Sequence, residues 1–259
     1  MQLSSSDHLL WGVGTLLEVV LCVFIIRRGL YRRLPFFSAY PALVLTSAAL
    51  LWWAYRVLGY GSPASLYIAW TTQGMMLLSR GLAVAELCWS SLRAYRGIWA
   101  LTWRLLAALA LALVVHAGLS AAGNRSWIAP FVLTAERGLE LAAVGILVLL
   151  LAVCRYYEIR LEPVQKMILL GLGFYSAIQV LNNSFMREWL TQYFHWWNGI
   201  RLASFQVALV IWLLALRKPL PAVAPAPALL PQEVYDELAP QVNFRLRLLN
   251  QRLLEMLKS

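Results

Sequence analysis

The chain has 259 residues, of which 61% are hydrophobic and only 13% charged, with a formal charge of +10 and a mean hydropathy of +0.67. Those proportions exclude an ordinary water-soluble domain, since apolar surface on this scale needs lipid as its solvent. The basic residues flank apolar stretches, so anionic lipid headgroups account for the positive charge and nucleic acid is not an expected partner.

A helix needs about 20 mainly apolar residues to cross roughly 30 Å of hydrocarbon, because lipid offers nothing to satisfy backbone N–H and C=O groups. Met1 to His8 lacks the basic flank of a secretory signal, so the first expected helix, Leu9–Ile26 with Glu18 inside it, reads as a retained reverse anchor. Helix 2 is expected at Phe36–Tyr55, and helix 3 at Leu66–Leu92 with Arg80 and Glu86 within the span. Helix 4 follows at Leu101–Ala122 with His116, then helix 5 at Ile128–Tyr156 with Glu136, Arg137 and Glu140. Helix 6, at Pro163–Phe185, ends in Gln179, Asn182 and Asn183. The aromatic connection Met186–Asn198 is long enough for amphipathic turns, serving as an interfacial anchor or as a lid over an outward-facing pocket. Helix 7 is expected at Phe194–Leu216 and carries Arg201.

Beyond the seventh helix, PLPAVAPAPALLP at 219–231 reads as a semi-rigid linker. In 232–259, Val242, Leu246, Leu249, Leu253 and Met256 recur at steps of four and three, the pattern of an amphipathic helix. Three uses stand open for it: docking on the inner membrane surface, pairing through 240–258 with a protein partner or a second copy, and packing back on the body. The expected fold is therefore all-α: a seven-transmembrane-helix bundle over residues 1–218, a linker and a cytoplasmic helix.

Counting Lys and Arg in the connections sets the expected orientation. One side collects Arg27, Arg28, Arg32, Arg33, Arg93, Arg96, Arg104, Arg155, Arg160, Lys166, Arg217 and Lys218, and the other only Arg56, Arg125 and Arg187. The amino terminus is thus expected outside and the carboxyl terminus inside. Tryptophans are expected in two interfacial belts, with Trp11, Trp52, Trp53, Trp127, Trp189, Trp196 and Trp197 outside and Trp99, Trp103 and Trp212 inside.

Charges inside the spans are the clue to function. Each costs something like 2.5–3.5 kcal/mol near the bilayer centre, so they are expected to face one another. Glu18, Arg80, Glu136, Arg137, Glu140 and Arg201, with Gln179 and Asn182, form the candidate site. Glu136 and Glu140 share a helix face, and Arg137 stands three residues from Glu140, within pairing distance along the helix. Two readings compete: a closed ion-pair network that fixes helix packing, and a polar pocket in the outer half whose arginines meet an anionic small molecule or lipid. Gly81 and Gly138, each after an Arg, are expected at close helix contacts, and Gly171 and Gly173 at another, with a helix bend as the alternative.

Other chemistries find no residues. A retinal Schiff base needs a lysine in the last span, where none precedes Lys218, and haem ligation needs histidines paired in depth, whereas His8, His116 and His195 are the whole supply. Zinc hydrolysis needs several His and Asp ligands, but Asp occurs only at 7 and 236. No nucleophile motif or phosphate loop appears, so neither catalysis, cofactor nor metal is expected. Cys22, Cys88 and Cys154 are expected to stay free.

Glu18, the Arg27-Arg28 and Arg32-Arg33-Leu34-Pro35 run, Glu86 with Arg93 and Tyr95, and the amphipathic tail together resemble a group of bacterial seven-span integral membrane proteins, over most of the chain. The resemblance implies the topology and, with it, a bacterial inner-membrane location. The functional expectation is a non-enzymatic, receptor-like or ligand-binding module that docks through its tail. The alternatives are an accessory subunit of a larger membrane complex and, less favoured, a transporter of a small anionic or amphiphilic solute.

Overall fold

The computed structural model describes residues 5–217 apart from 125–126, 158, 160 and 186–193, together with Glu237, Pro240, Gln241 and Phe244; side chains at 5–10, 96, 183–185 and 194–198 are outside the description. Residues 1–220 form one compact unit and 221–259 a second. In the second unit the four described residues are helical. The linker, the Val242–Met256 stripe and the connection at 186–193 lie outside the described residues.

Among the described residues the first unit has seven α-helices: α1 (Ser5–Arg27), α2 (Pro35–Val57), α3 (Pro63–Leu92), α4 (Arg96–Ala121), α5 (Ile128–Tyr156), α6 (Pro163–Phe185) and α7 (Phe194–Arg217). No strand occurs among the described residues. Five stretches are long and apolar enough to cross a membrane: Pro35–Val57, Gly97–Ala121, Ile128–Tyr156, Pro163–Asn182 and Gly199–Arg217. α3 is polar in character, with Gln73, Ser79, Arg80, Glu86 and Ser91 along its length.

Local signals explain the helix starts. Proline opens α2, α3 and α6, where its missing N–H costs nothing and its fixed φ suits the first turn. Ser62 caps α3 by accepting a hydrogen bond from the Ser65 N–H at 3.1 Å. That capped, polar first turn starts α3 three residues before the apolar run that marks it in the sequence. Gly29 turns the chain out of α1 at φ 66, a left-handed conformation that suits glycine, and leads into a 3₁₀ turn at Leu30–Arg32.

Helix contacts close into a ring in the order α1, α2, α3, α5, α6, α7 and back to α1. The seventh helix, α4, stands outside it against α5, with a lesser contact to α3. Among its described side chains only Ala117 and Ala121 are buried. Two glycines permit the tightest approaches. A Cβ on Gly138 of α5 would come 2.4 Å from Leu113 Cδ2 of α4, and one on Gly171 of α6 would come 2.3 Å from Trp212 Nε1 of α7.

One end of the ring is apolar inside and basic at its rim. Leu21, Leu87, Ile168, Leu172, Leu209 and Trp212 are wholly buried there, and Trp212 meets Phe37 edge-on with ring centroids 5.2 Å apart. Its indole N–H donates to the Ile168 carbonyl at 3.3 Å. This corrects the expectation of Trp212 in an interfacial belt: the close approach that Gly171 allows draws the indole into the core, whereas Trp103 is exposed. At the rim, Arg28 Nη2 donates to the last-turn carbonyl of Arg217 at 2.9 Å, complementing the negative end of α7. Arg33 and Glu162 form an ion pair across connections at 3.8 Å.

Glu86 does not belong to the polar cluster of the other end. Its carboxylate accepts the backbone N–H groups of Phe36 at 3.1 Å and Phe37 at 2.8 Å, at the start of α2. Residue Leu34, at the N-cap position, has no side-chain acceptor to offer, so α3 supplies the cap that α2 lacks. A negative charge is also what a helix N-terminus favours.

Candidate functional site

Opposite the apolar plug, where α1, α3, α5 and α7 begin, the ring opens into a cavity of about 280 Å³. All six ring helices contribute to its wall and α4 contributes nothing. The wall is built from stripes at helical spacing. On α1 it takes Trp11, Gly14, Thr15 and Glu18; on α3 it takes Gln73, Met76, Leu77 and Arg80; α7 adds Arg201, Leu202, Phe205 and Gln206. Steps of three and four place each set on one helix face, and that face points into the ring.

At the base of the cavity Arg80 meets Glu140 of α5, with Nη2 2.5 Å from Oε1 and side chains only 6% and 0% accessible. The phenol of Tyr40 and the buried hydroxyl of Ser176 stand against the pair, and the Arg80 guanidinium carbon lies 5.4 Å from the ring centroid of Tyr175. Desolvated charges so placed are held by each other and by the aromatic face. Arg80 is therefore neutralised inside the protein, although its Nε has no hydrogen-bond partner.

Other cavity groups are less satisfied. Glu18 is buried, 6% exposed, and has neither ion pair nor hydrogen bond among the described residues. Glu136 accepts a hydrogen bond from Gln73 Nε2 at 3.0 Å and has no cationic partner within 4 Å among the described residues. Gln179, 4% exposed, donates to Tyr175 Oη at 2.9 Å while its Oε1 is buried without a donor. Arg201, exposed at the cavity wall, has no carboxylate within 4 Å among the described residues.

Of the eight residues expected at the site, Glu18, Arg80, Glu136, Gln179 and Arg201 line one cavity and Glu140 lies beneath it, paired with Arg80. Arg137 does not join them: it is exposed, on the α5 face turned from the ring. Glu140 pairs across helices to Arg80 in place of the Arg137 pairing expected along α5, because Glu140 faces inward and Arg137, three residues before it, does not. Asn182 is buried near the end of α6 with an unpartnered Oδ1, but does not line the cavity. The Asn183 side chain lies outside the described residues.

Sequence reasoning missed Gln73, Gln206, Tyr40, Tyr175 and Phe205. A signal existed: Gln73 falls seven residues before Arg80, the same step that separates Trp11 from Glu18. Tyr40 and Tyr175 carried none, since an aromatic in an apolar span reads as packing until its neighbours are known.

Among the described residues no group of three or more His, Cys, Asp and Glu is arranged to hold a metal ion. The three cysteines are free, with Cys88 and Cys154 buried in the core. In comparisons with known proteins the chain matches no protein family, no curated protein and no solved structure.

Proposed function

We propose that the protein is a non-enzymatic, ligand-binding membrane module of the bacterial inner membrane, with seven spans, the amino terminus and cavity mouth outside, and the tail inside. The observation that carries the binding reading is the contrast along the ring axis. A polar cavity lined by the unpartnered Gln179 Oε1 and by Glu18, which has no hydrogen bond among the described residues, opens at one end, and a plug of fully buried Leu172, Leu209, Phe37 and Trp212 closes the other. Buried polar atoms left without partners are costly, at about 1–3 kcal/mol each, unless something supplies them. A pocket of this size, concave and mixed in polarity, suits a small molecule. The plug speaks against free passage, so a signal rather than a flux is the output we favour, passed to a partner through 240–258.

Native mass spectrometry of protein purified in mild detergent tests the binding reading: a retained small molecule, lost on Glu18→Gln, is the expected result. Stripping of every adduct with no effect of that substitution would refute it. Single-cysteine labelling in Cys-free protein tests the topology, with labelling from outside expected at position 60 and from inside at positions 31 and 156.

The alternative, an accessory subunit of a membrane complex, is favoured by one observation: α4 stands outside the ring with most of its described side chains exposed. Stoichiometric companions retained in mild detergent and released by bulky substitutions on α4 would select it.

A further inference from the structure

The ligand's chemical class follows from which cavity groups lack partners, an inference that rests on the binding reading above. Arg80 is consumed by Glu140. What remains on the wall is two carboxylates, Glu18 and Glu136, against one guanidinium, Arg201. Hydrogen-bond capacity is skewed the same way. Gln179 Oε1 is a buried acceptor with no donor, the Glu18 carboxylate, on a residue 6% exposed, lines the cavity with no hydrogen bond among the described residues, and Glu136 gives one oxygen to Gln73 and keeps the other. Against them, among the described wall residues, stand the unpartnered buried donor Arg80 Nε and, at the exposed side, the guanidinium of Arg201. A carboxylate or phosphate ligand would bring still more acceptors to an acceptor-rich, net acidic wall. A group with several N–H donors and a positive charge would satisfy it. Phe205 and Tyr40 add aromatic surface to the wall, which suits a cation.

We propose that the cavity binds a small ligand through a protonated amine held by Glu18, Glu136 and Gln179, with Arg201 at the exposed side receiving an acidic group, so that a zwitterion is the preferred occupant. The anionic ligand expected from the arginines in the sequence is thereby replaced by its counterpart in charge. Arg80 organises the floor and does not receive the ligand's charge.

Three probes of matched chain length separate the possibilities: butylammonium, 4-aminobutyrate and butyrate, added at millimolar concentration to the full chain in lipid nanodiscs, with thermal unfolding as the readout. Butylammonium and 4-aminobutyrate raise Tm, the zwitterion more, and butyrate does not. Glu18→Gln raises the half-saturating concentration of butylammonium at least tenfold. Gln179→Leu, a milder change that keeps the volume, raises it about tenfold through the lost acceptor. Arg201→Gln removes the advantage of 4-aminobutyrate and does not weaken butylammonium, since it takes away a like charge. Stabilisation by butyrate but not butylammonium, abolished by Arg201→Gln, overturns this inference and upholds a ligand pocket. Stabilisation by butylammonium that survives both Glu18→Gln and Gln179→Leu overturns it too, by placing the amine elsewhere. No response to any probe, with no small molecule retained on purification, overturns the inference and the binding reading together.

Discussion

Removing either member of the Arg80–Glu140 pair strands a full charge inside the bundle, and the two losses are expected to be large and unequal. At 2.5 Å, two unit charges attract by about 7 kcal/mol in an effective dielectric of 20. Desolvation of both groups offsets most of that, so the pair adds little net stability. Its halves are another matter. Breaking a buried pair from one side costs about 3–5 kcal/mol, because the survivor has no water to turn to. A stranded carboxylate can shed its charge by binding a proton, whereas a guanidinium has no neutral form within reach. Glu140→Met should therefore fall near 5 kcal/mol and Arg80→Met near 3 kcal/mol. The double variant Arg80→Met/Glu140→Met, with two flexible apolar chains in similar volume, should return to within about 1 kcal/mol of the parent. The assay is reversible unfolding in mixed detergent micelles, read by tryptophan fluorescence and closed as a double-mutant cycle. Single losses below about 1 kcal/mol that simply add in the double variant would show that the pair is solvated and that the cavity floor is not as described.

Gly171→Ala places a Cβ 2.3 Å from Trp212 Nε1, forcing a rigid indole from its packed site; a loss of about 1–3 kcal/mol is expected, whereas Gly145→Ala, which meets nothing within 4 Å, should be neutral or slightly stabilising in the same unfolding assay. Glu86→Ala removes the acceptor for two N–H groups of α2 and should cost about 1–2 kcal/mol, with Glu86→Gln intermediate; equal stability of all three forms would mean that water or a neighbouring group caps α2. Arg137→Leu should leave probe binding in the cavity unchanged and raise the stability of the isolated protein by about 1–2 kcal/mol, since an outward-facing charge in a span is costly even when its chain reaches for the interface. A loss of stability on that substitution would assign Arg137 a partner within the chain.

Composition alone determined the solvent of this protein. With lipid as solvent, backbone hydrogen bonding within each segment is obligatory, so helices followed wherever the apolar runs were long enough, with Pro163 opening α6 as expected and Pro35 and Pro63 opening α2 and α3 one and three residues before the expected starts. The cost of charge in hydrocarbon likewise made a cluster of Glu18, Arg80, Glu136, Glu140 and Arg201 legible, because no other arrangement of those residues is affordable in a bilayer. Helical spacing fixes which residues share a face, but not what that face meets. Arg137 and Glu140 are three apart and equally polar, yet one faces outward and the other sits at 0% accessibility under Arg80. Glu86 resembles Glu18 in the sequence, yet it caps α2 while Glu18 lines the cavity. Those outcomes depend on the ring order, with α5 beside α3 and α4 displaced from the circle, which arises from contacts between residues far apart in the chain. The sign of the cavity was decided there as well: the candidate charges read from the sequence, Glu18, Glu136 and Glu140 against Arg80, Arg137 and Arg201, balance, and only with Arg137 turned outward and Arg80 paired to Glu140 are two carboxylates left on the wall against one guanidinium.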